Sequence, residues 1–197
     1  MDLHTDLPGF FYFKNVIEPD LADDIIDYLN NQVWGGVSTS ETGRKVQQYG
    51  FEYDYSTRKG SDYKKIEEIP ELLSLLQTMG LHTVESLVDK EIFEKTKLNQ
   101  CIVNKYEPKQ GISAHIDKTT FGPVIVCFTL NSGTTMTFSR MVGDIKEVIE
   151  KYVEPNSVYL MTGESRYLWK HEIKSRLTDN RIKRKTRISV TFRTVTE

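Results

Sequence analysis

Cysteine is close to absent: Cys101 and Cys127 are the only two in 197 residues. Two isolated thiols exclude a disulfide framework as the source of stability and fit a reducing compartment. Long apolar runs are missing as well. The longest, residues 124–130, is interrupted by Thr129 and falls far short of the roughly 20 residues needed to span a bilayer, so no membrane partner is expected. Residues 1–13 carry no basic stretch ahead of an apolar one, which leaves no secretory signal to read. The expected location is intracellular, the cytoplasm first and the nucleus second. No repeat, low-complexity tract or linker divides the chain. Its length suits one domain with a sizeable core, expected to act as a monomer.

Histidine is scarce too. Only His4, His82, His115 and His171 occur, which narrows imidazole chemistry to a few positions. In an extended strand alternate side chains share a face, so His115 and Asp117 of the His-Ile-Asp triplet aim into one space. An imidazole and a carboxylate so placed form half of a metal site. A second histidine from a later strand would complete the two-histidine, one-carboxylate face that holds non-haem Fe(II) and leaves positions open. His4 lies in the terminal tail and His82 at a helix end, neither with a matching partner. His171 closes a strand-like run, Tyr167-Leu168-Trp169-Lys170-His171, and is the candidate third ligand.

Charge is nearly balanced overall at −2 but unevenly spread. Residues 1–30 hold one lysine against seven acids, a sum of −6, and residues 166–193 hold ten Arg or Lys against two acids, a sum of +8. A solvated basic loop is one reading of the second cluster. The other is a patch that attracts a polyanion.

The first half of the chain reads as a strand over 9–13, a helix started by Ile17-Glu18-Pro19-Asp20 and ended by Asn30 and Asn31, and a small-residue loop over 35–44. A second helix is expected from Pro70 to Met79, ended by Gly80, and 83–94 are ambiguous, another short helix being one reading. Between these, Tyr49, Phe51, Tyr53 and Tyr55 alternate with small or charged residues, so four rings would share one strand face. Such a stripe either covers core or offers a stacking platform for a base, and Trp34 belongs to the same wall. From Leu98 onward short strands are expected over 98–106, 112–117, 123–130, 134–139, 157–161, 167–173 and 186–195. That spacing indicates a sandwich or barrel. The fold class is mainly β with flanking helices, a double-stranded β-helix (jelly roll) over 98–197, with 1–97 as a strand-helix extension and substrate lid.

The last strand places Arg187, Ser189, Thr191 and Arg193 on one face and Ile188, Val190 and Phe192 on the other. An ordinary half-exposed strand has this pattern, and so does a strand lining a polar cavity. Arginine forks match carboxylates with paired hydrogen bonds, so two of them along one strand suit the two ends of a short dicarboxylate.

The order His-x-Asp, distant His, then Arg-x5-Arg resembles the AlkB family of Fe(II)- and 2-oxoglutarate-dependent dioxygenases. The resemblance runs over about 98–195 and more loosely over 44–55. It rests on Asn104-Lys105-Tyr106, on Gly163-Glu164-Ser165-Arg166 ahead of His171, and on Arg187-Ile188-Ser189-Val190-Thr191-Phe192-Arg193. The stretches 111–117 and 161–169 look most like the branch that hydroxylates the C5 side chain of a wobble uridine in tRNA. The resemblance implies His115, Asp117 and His171 as Fe(II) ligands and catalytic centre. It implies Asn104, Tyr106, Arg187, Ser189 and Arg193 around 2-oxoglutarate, with O2 as the other cosubstrate. Tyr49, Phe51, Tyr53, Arg166, Lys183, Arg184 and Lys185 are the expected contacts to nucleic acid, tRNA before alkylated DNA or RNA. Thr119 stands where repair members place an acid, and Ser189 replaces an asparagine that some members use. Relatives in animals carry an RNA-recognition domain and a methyltransferase domain for which this chain has no room, so a separate partner would supply those functions. Oxidative demethylation of N-alkylated bases and hydroxylation of a protein or small molecule are the alternatives.

Overall fold

The computed structural model describes residues 2–3, 6–36, 43–53 and 63–196. Its strands are β1 (Asp2–Leu3), β2 (Phe10–Phe13), β3 (Gly35–Gly36), β4 (Lys45–Tyr49), β5 (Gln100–Tyr106), β6 (Ile112–His115), β7 (Ile125–Leu130), β8 (Thr134–Val142), β9 (Ile145–Val153), β10 (Ser157–Met161), β11 (Lys170–Ile173), β12 (Thr178–Asp179), β13 (Ile182–Lys183) and β14 (Arg187–Arg193). Its helices are α1 (Pro19–Asn30), α2 (Glu71–Glu85), α3 (Lys90–Glu94) and α4 (Gly163–Tyr167). One antiparallel sheet has the order β1-β2-β10-β7-β14-β5-β4-β3, a second has β6-β11-β8-β9, and β12-β13 form a small hairpin. Two antiparallel sheets facing one another give the expected mainly β jelly roll.

Period-two alternation sorts the core into two layers. On β14, Ile188, Val190 and Phe192 join Val103, Val126, Phe128 and Leu160 under a cover of Ile25 and Leu29 from α1 and Leu73 and Leu76 from α2. The opposite faces of β7 and β10 send Ile125, Cys127, Tyr159 and Met161 between the sheets, where Met136, Phe138 and Ile173 of the smaller sheet meet them. The molecule is therefore helices, large sheet, small sheet, and Arg187, Ser189, Thr191 and Arg193 face the space between the sheets.

Several expectations about elements need correction. The strand expected over 167–173 is β11 from Lys170 only, with Tyr167 ending α4. Helix α2 does not end at Gly80; it runs to Glu85. A Cβ at Gly80 would stand 3.2 Å from Val126 Cγ1 and 3.4 Å from Leu98 Cδ1, so this glycine lets the helix settle onto the sheet. Strand β9 was absent from the expected set, although Gly143-Asp144 between β8 and β9 is a hairpin signal, with Gly143 at φ +59°. Its alternation is masked because four of its residues, Lys146, Glu147, Glu150 and Lys151, are charged.

Candidate active site

The two histidines are a cross-strand pair. His115 of β6 lies opposite His171 of β11, which sets the ring centroids 4.3 Å apart, as close opposition in an antiparallel ladder requires. Strand β6 stops at His115, short of the expected 117, and the turn that follows returns Asp117 to the same space. Asp117 Oδ2 is 3.6 Å from His171 Nε2, and one ligand atom from each of the three residues lies within 4.8 Å of the others. Two ligands each about 2.1 Å from an ion stand at most about 4 Å apart, so a small contraction closes this set on one ion.

The surroundings prepare these groups as ligands. The Ser113 carbonyl lies 2.8 Å from His115 Nδ1; with that hydrogen donated, the Nε2 lone pair is left for metal. Burial pushes His171 down to about 4 against the opposing pull of Asp117, so its imidazole is neutral at pH 7. Burial pushes the Asp117 carboxyl up, but Arg193, the two histidines and Arg166 outweigh it and hold the group below its ordinary value. Arg193 Nη2 sits 2.6 Å from Asp117 Oδ1. One carboxylate oxygen is thus engaged by arginine and the other is aimed at His171. The expected place of Arg193 is the end of the cosubstrate opposite the one held by Arg187; in the structure it lines the cavity and sits on the metal-ligand carboxylate, with its guanidinium 4.7 Å from the Phe121 ring centroid.

Asn104, Tyr106, Arg187, Ser189 and Arg193 line one cavity with the three candidate ligands. Arg187 is 4 % exposed and makes no ion pair among the described residues. Its Nη2 donates to Thr129 Oγ1 at 2.9 Å, its guanidinium lies 5.6 Å from the Tyr106 ring centroid, and its Nε–H has no partner. A buried cation with an idle donor, facing a cavity, is a receptor for a carboxylate. The donor set fits Fe(II), and the cationic lining of the cavity suits a carboxylate.

Other expected contacts are placed differently. Tyr49 packs in the core beneath the helices, because Gly50 turns the chain at φ +77° and sends Phe51 to the opposite side. There Phe51 is buried with Phe121 and Val195, with Tyr53 and Tyr63 packed against them. The single row of four rings is not formed; Tyr55 lies outside the described residues, and Trp34 packs on the helix side. The aromatic wall beside Asp117 is instead Tyr53, Tyr63 and Phe121, with ring centroids 5.9 Å and 5.3 Å from Phe121. Tyr63 was not singled out from sequence, since only the fold brings it to Thr120, 2.6 Å away.

Arg166 is also corrected. It is 2 % exposed and gives its guanidinium to the carbonyls of Asp117, Lys118 and Phe121, clamping the ligand turn. Arg184 is tied to Asp179 and to the Lys174 carbonyl, so of the basic trio only Lys183 and Lys185 are exposed. Tyr159 and Met161 also line the cavity, and Thr129 supports it from behind through its hydrogen bond from Arg187. None of the three was singled out for the site from sequence; Thr129, the polar break in the apolar run 124–130, was the available signal.

The profile of the 2OG-Fe(II) oxygenase superfamily matches residues 9–193, and the chain belongs to that superfamily. It is an Fe(II)- and 2-oxoglutarate-dependent oxygenase, using Fe(II), 2-oxoglutarate and O2. Within the superfamily its relatives are of the AlkB kind. Mouse tRNA (carboxymethyluridine(34)-5-O)-methyltransferase ALKBH8 is 30 % identical over 191 residues, 91 % of this chain but 26 % of the mouse protein. Protein L905 of Acanthamoeba polyphaga mimivirus is 32 % identical over 198 residues, 96 % of this chain and 86 % of the viral one. The solved structure of OsALKBH1 superposes with a TM-score of 0.63 at 18 % identity, covering 95 % of this chain and 98 % of that one.

Proposed function

We propose that this oxygenase hydroxylates a modified nucleobase, the C5 side chain of a wobble uridine in tRNA. The observation that carries the reading is the 30 % identity, across nearly all of this chain, to a mouse protein named for carboxymethyluridine 34 of tRNA. Residues 98–197 act as the oxygenase core, and residues 1–97 as extension and nucleotide lid. His115, Asp117 and His171 hold Fe(II), which with 2-oxoglutarate and O2 supplies oxidation of a C–H bond and leaves succinate and CO2. Arg187 pairs with the distal carboxylate of 2-oxoglutarate, helped by Asn104, Tyr106 and Ser189. Arg193 keeps Asp117 charged and oriented. Tyr53 and Tyr63 stand where an unpaired base would stack beside Asp117, and a base enters such a cavity only when unstacked from its neighbours. The chain spans 26 % of the mouse protein, and the reading covers the oxidation step alone.

The test is mass spectrometry of digested tRNA and of N-methylated oligonucleotides after incubation with protein, Fe(II), 2-oxoglutarate and ascorbate. Gain of one oxygen on the uridine side chain is expected. Loss of a methyl group instead would assign oxidative demethylation. Succinate formation with neither nucleic acid altered would move the substrate to a protein or small molecule. In the same assay His171→Ala should abolish succinate, and undiminished succinate would remove His171 from the ligand set.

A further inference from the structure

A groove of about 650 Å³ lies outside the catalytic cavity, between the β5–β6 turn and the end of β11. Ile112 and Ile173 line both spaces, so the groove and the cavity share a wall. Its charged side chains are Arg44, Lys109 and Lys174 against Glu172 alone, a surplus of positive charge beside the metal ligands.

The groove is built rather than accidental. A Cβ at Gly111 would lie 2.1 Å from the Ile173 carbonyl oxygen, so only glycine permits the turn to press against β11. The Lys109 amide donates to the Arg176 carbonyl at 3.3 Å, and the Ser175 hydroxyl donates to the Lys109 carbonyl. Those contacts fix the backbones that carry Lys109 and Lys174. Across the groove, Gln110 Nε2 donates to the Gly43 carbonyl at 3.2 Å, and Arg44 is anchored through Nε to Asn104 Oδ1 at 2.9 Å. Lys109 and Lys174 are exposed, and Lys174 Nζ pairs with the surface carboxylate of Glu150 at 3.0 Å. Exposed pairs of that kind contribute little and are readily exchanged.

We propose that this groove holds the phosphodiester backbone of single-stranded nucleic acid next to the target nucleotide, with Lys109 and Lys174 neutralising phosphates. Phosphate neutralisation releases counterions, which makes affinity fall with salt by about 0.7 log units per log unit of salt for each contact on a single strand. The inference rests on the nucleic-acid reading above and deepens it.

The experiment measures binding of total tRNA to the whole protein across a salt series. The variants are wild type, Lys109→Gln/Lys174→Gln, and Lys90→Gln on remote α3 as a control. The double variant should bind about ten-fold more weakly at low salt, with a slope shallower by about 1.4, two contacts at about 0.7 each, while Lys90→Gln follows wild type. An unchanged melting temperature for the double variant shows that its fold is kept; a lowered one calls for Lys109→Arg/Lys174→Arg, which should restore binding. Double-variant affinity and slope equal to wild type would overturn the groove and leave the tRNA reading standing. A wild-type protein that neither binds nor oxidises tRNA at any salt would overturn both, leaving an acidic protein segment as the occupant to seek.

Discussion

Two buried arginines in this protein have opposite economies. Both leave Nε–H without a partner, but Arg166 has three backbone carbonyls for the rest of its guanidinium, whereas Arg187 has one threonine hydroxyl. Leaving a buried acceptor without its donor costs about 1–3 kcal/mol. Arg166→Met strands several at once and should destabilise the fold by about 3–5 kcal/mol, the range for breaking a buried charged network, read as a lowered urea midpoint. It should also loosen the turn bearing Asp117 and weaken metal binding by about 10- to 100-fold, the usual effect of losing a partner that orients a ligand. Arg187→Met removes an uncompensated cation from the interior, so the ligand-free protein should be as stable as wild type or more so. Its defect should appear in the KM for 2-oxoglutarate, raised at least about ten-fold, since a hydrogen bond to a charged group contributes about 1.5–3 kcal/mol. Equal KM values would take Arg187 out of the cosubstrate site.

At the level of elements, the β12–β13 hairpin is held by charge rather than by apolar burial. Asp179 is 2 % exposed and receives Arg176 and Arg184. Burial pushes its carboxyl up, but the Arg184 hydrogen bond and charge, with Thr135 and Arg176, hold it below the ordinary 3.8. A carboxyl lowered in the folded state contributes stability that is present above the unfolded value and lost as pH falls through the folded one. Asp179→Asn should therefore lower the urea midpoint at pH 7, and the gap to wild type should close below about pH 3.8. Gly80 offers a second check at this scale. Alanine there gains about 1 kcal/mol of helix propensity but presses on Val126 and Leu98, so the two effects nearly cancel. Valine adds bulk without that gain, and Gly80→Val should cost about 1–3 kcal/mol by overpacking. These elements also show what the sequence could disclose. The polar row of β14 was legible because its face follows from strand geometry alone, and the His-x-Asp triplet because its spacing is a local motif, although Asp117 reaches the site from the turn after β6. The opposition of His115 to His171, the turn at Gly50 that separates Tyr49 from Phe51, and the clamp made by Arg166 depend on register between distant strands. Hydrophobic periodicity carries no record of register. Gly80 misled for the converse reason, since a glycine reads as a terminator unless the sheet beneath the helix is known.

For the whole molecule, the three layers divide labour: the helices and the outer face of the large sheet hold one apolar cluster, and the space between the sheets holds a second together with the polar site. That site is the costly part of the fold. It contains Arg187 without a buried anion and two histidines and an aspartate clustered within 4.8 Å. Ligands that neutralise those groups bind only the folded chain and so must stabilise it, by about 2.7 kcal/mol at a hundred times Kd. In a domain of about 200 residues each kcal/mol raises Tm by roughly 2–4 °C, which predicts a rise of roughly 5–11 °C with saturating Mn(II) as a redox-inert stand-in for iron. Adding 2-oxoglutarate should raise Tm further. The variants separate the two steps. His171→Ala should lose the metal shift, and with it most of the cosubstrate shift, because the dicarboxylate needs the ion at one end. Arg187→Met should keep the metal shift and lose only the second increment. A 2-oxoglutarate shift that survives Arg187→Met would mean that the dicarboxylate lies elsewhere between the sheets, and a metal shift that survives His171→Ala would separate the ion from the cross-strand histidine pair.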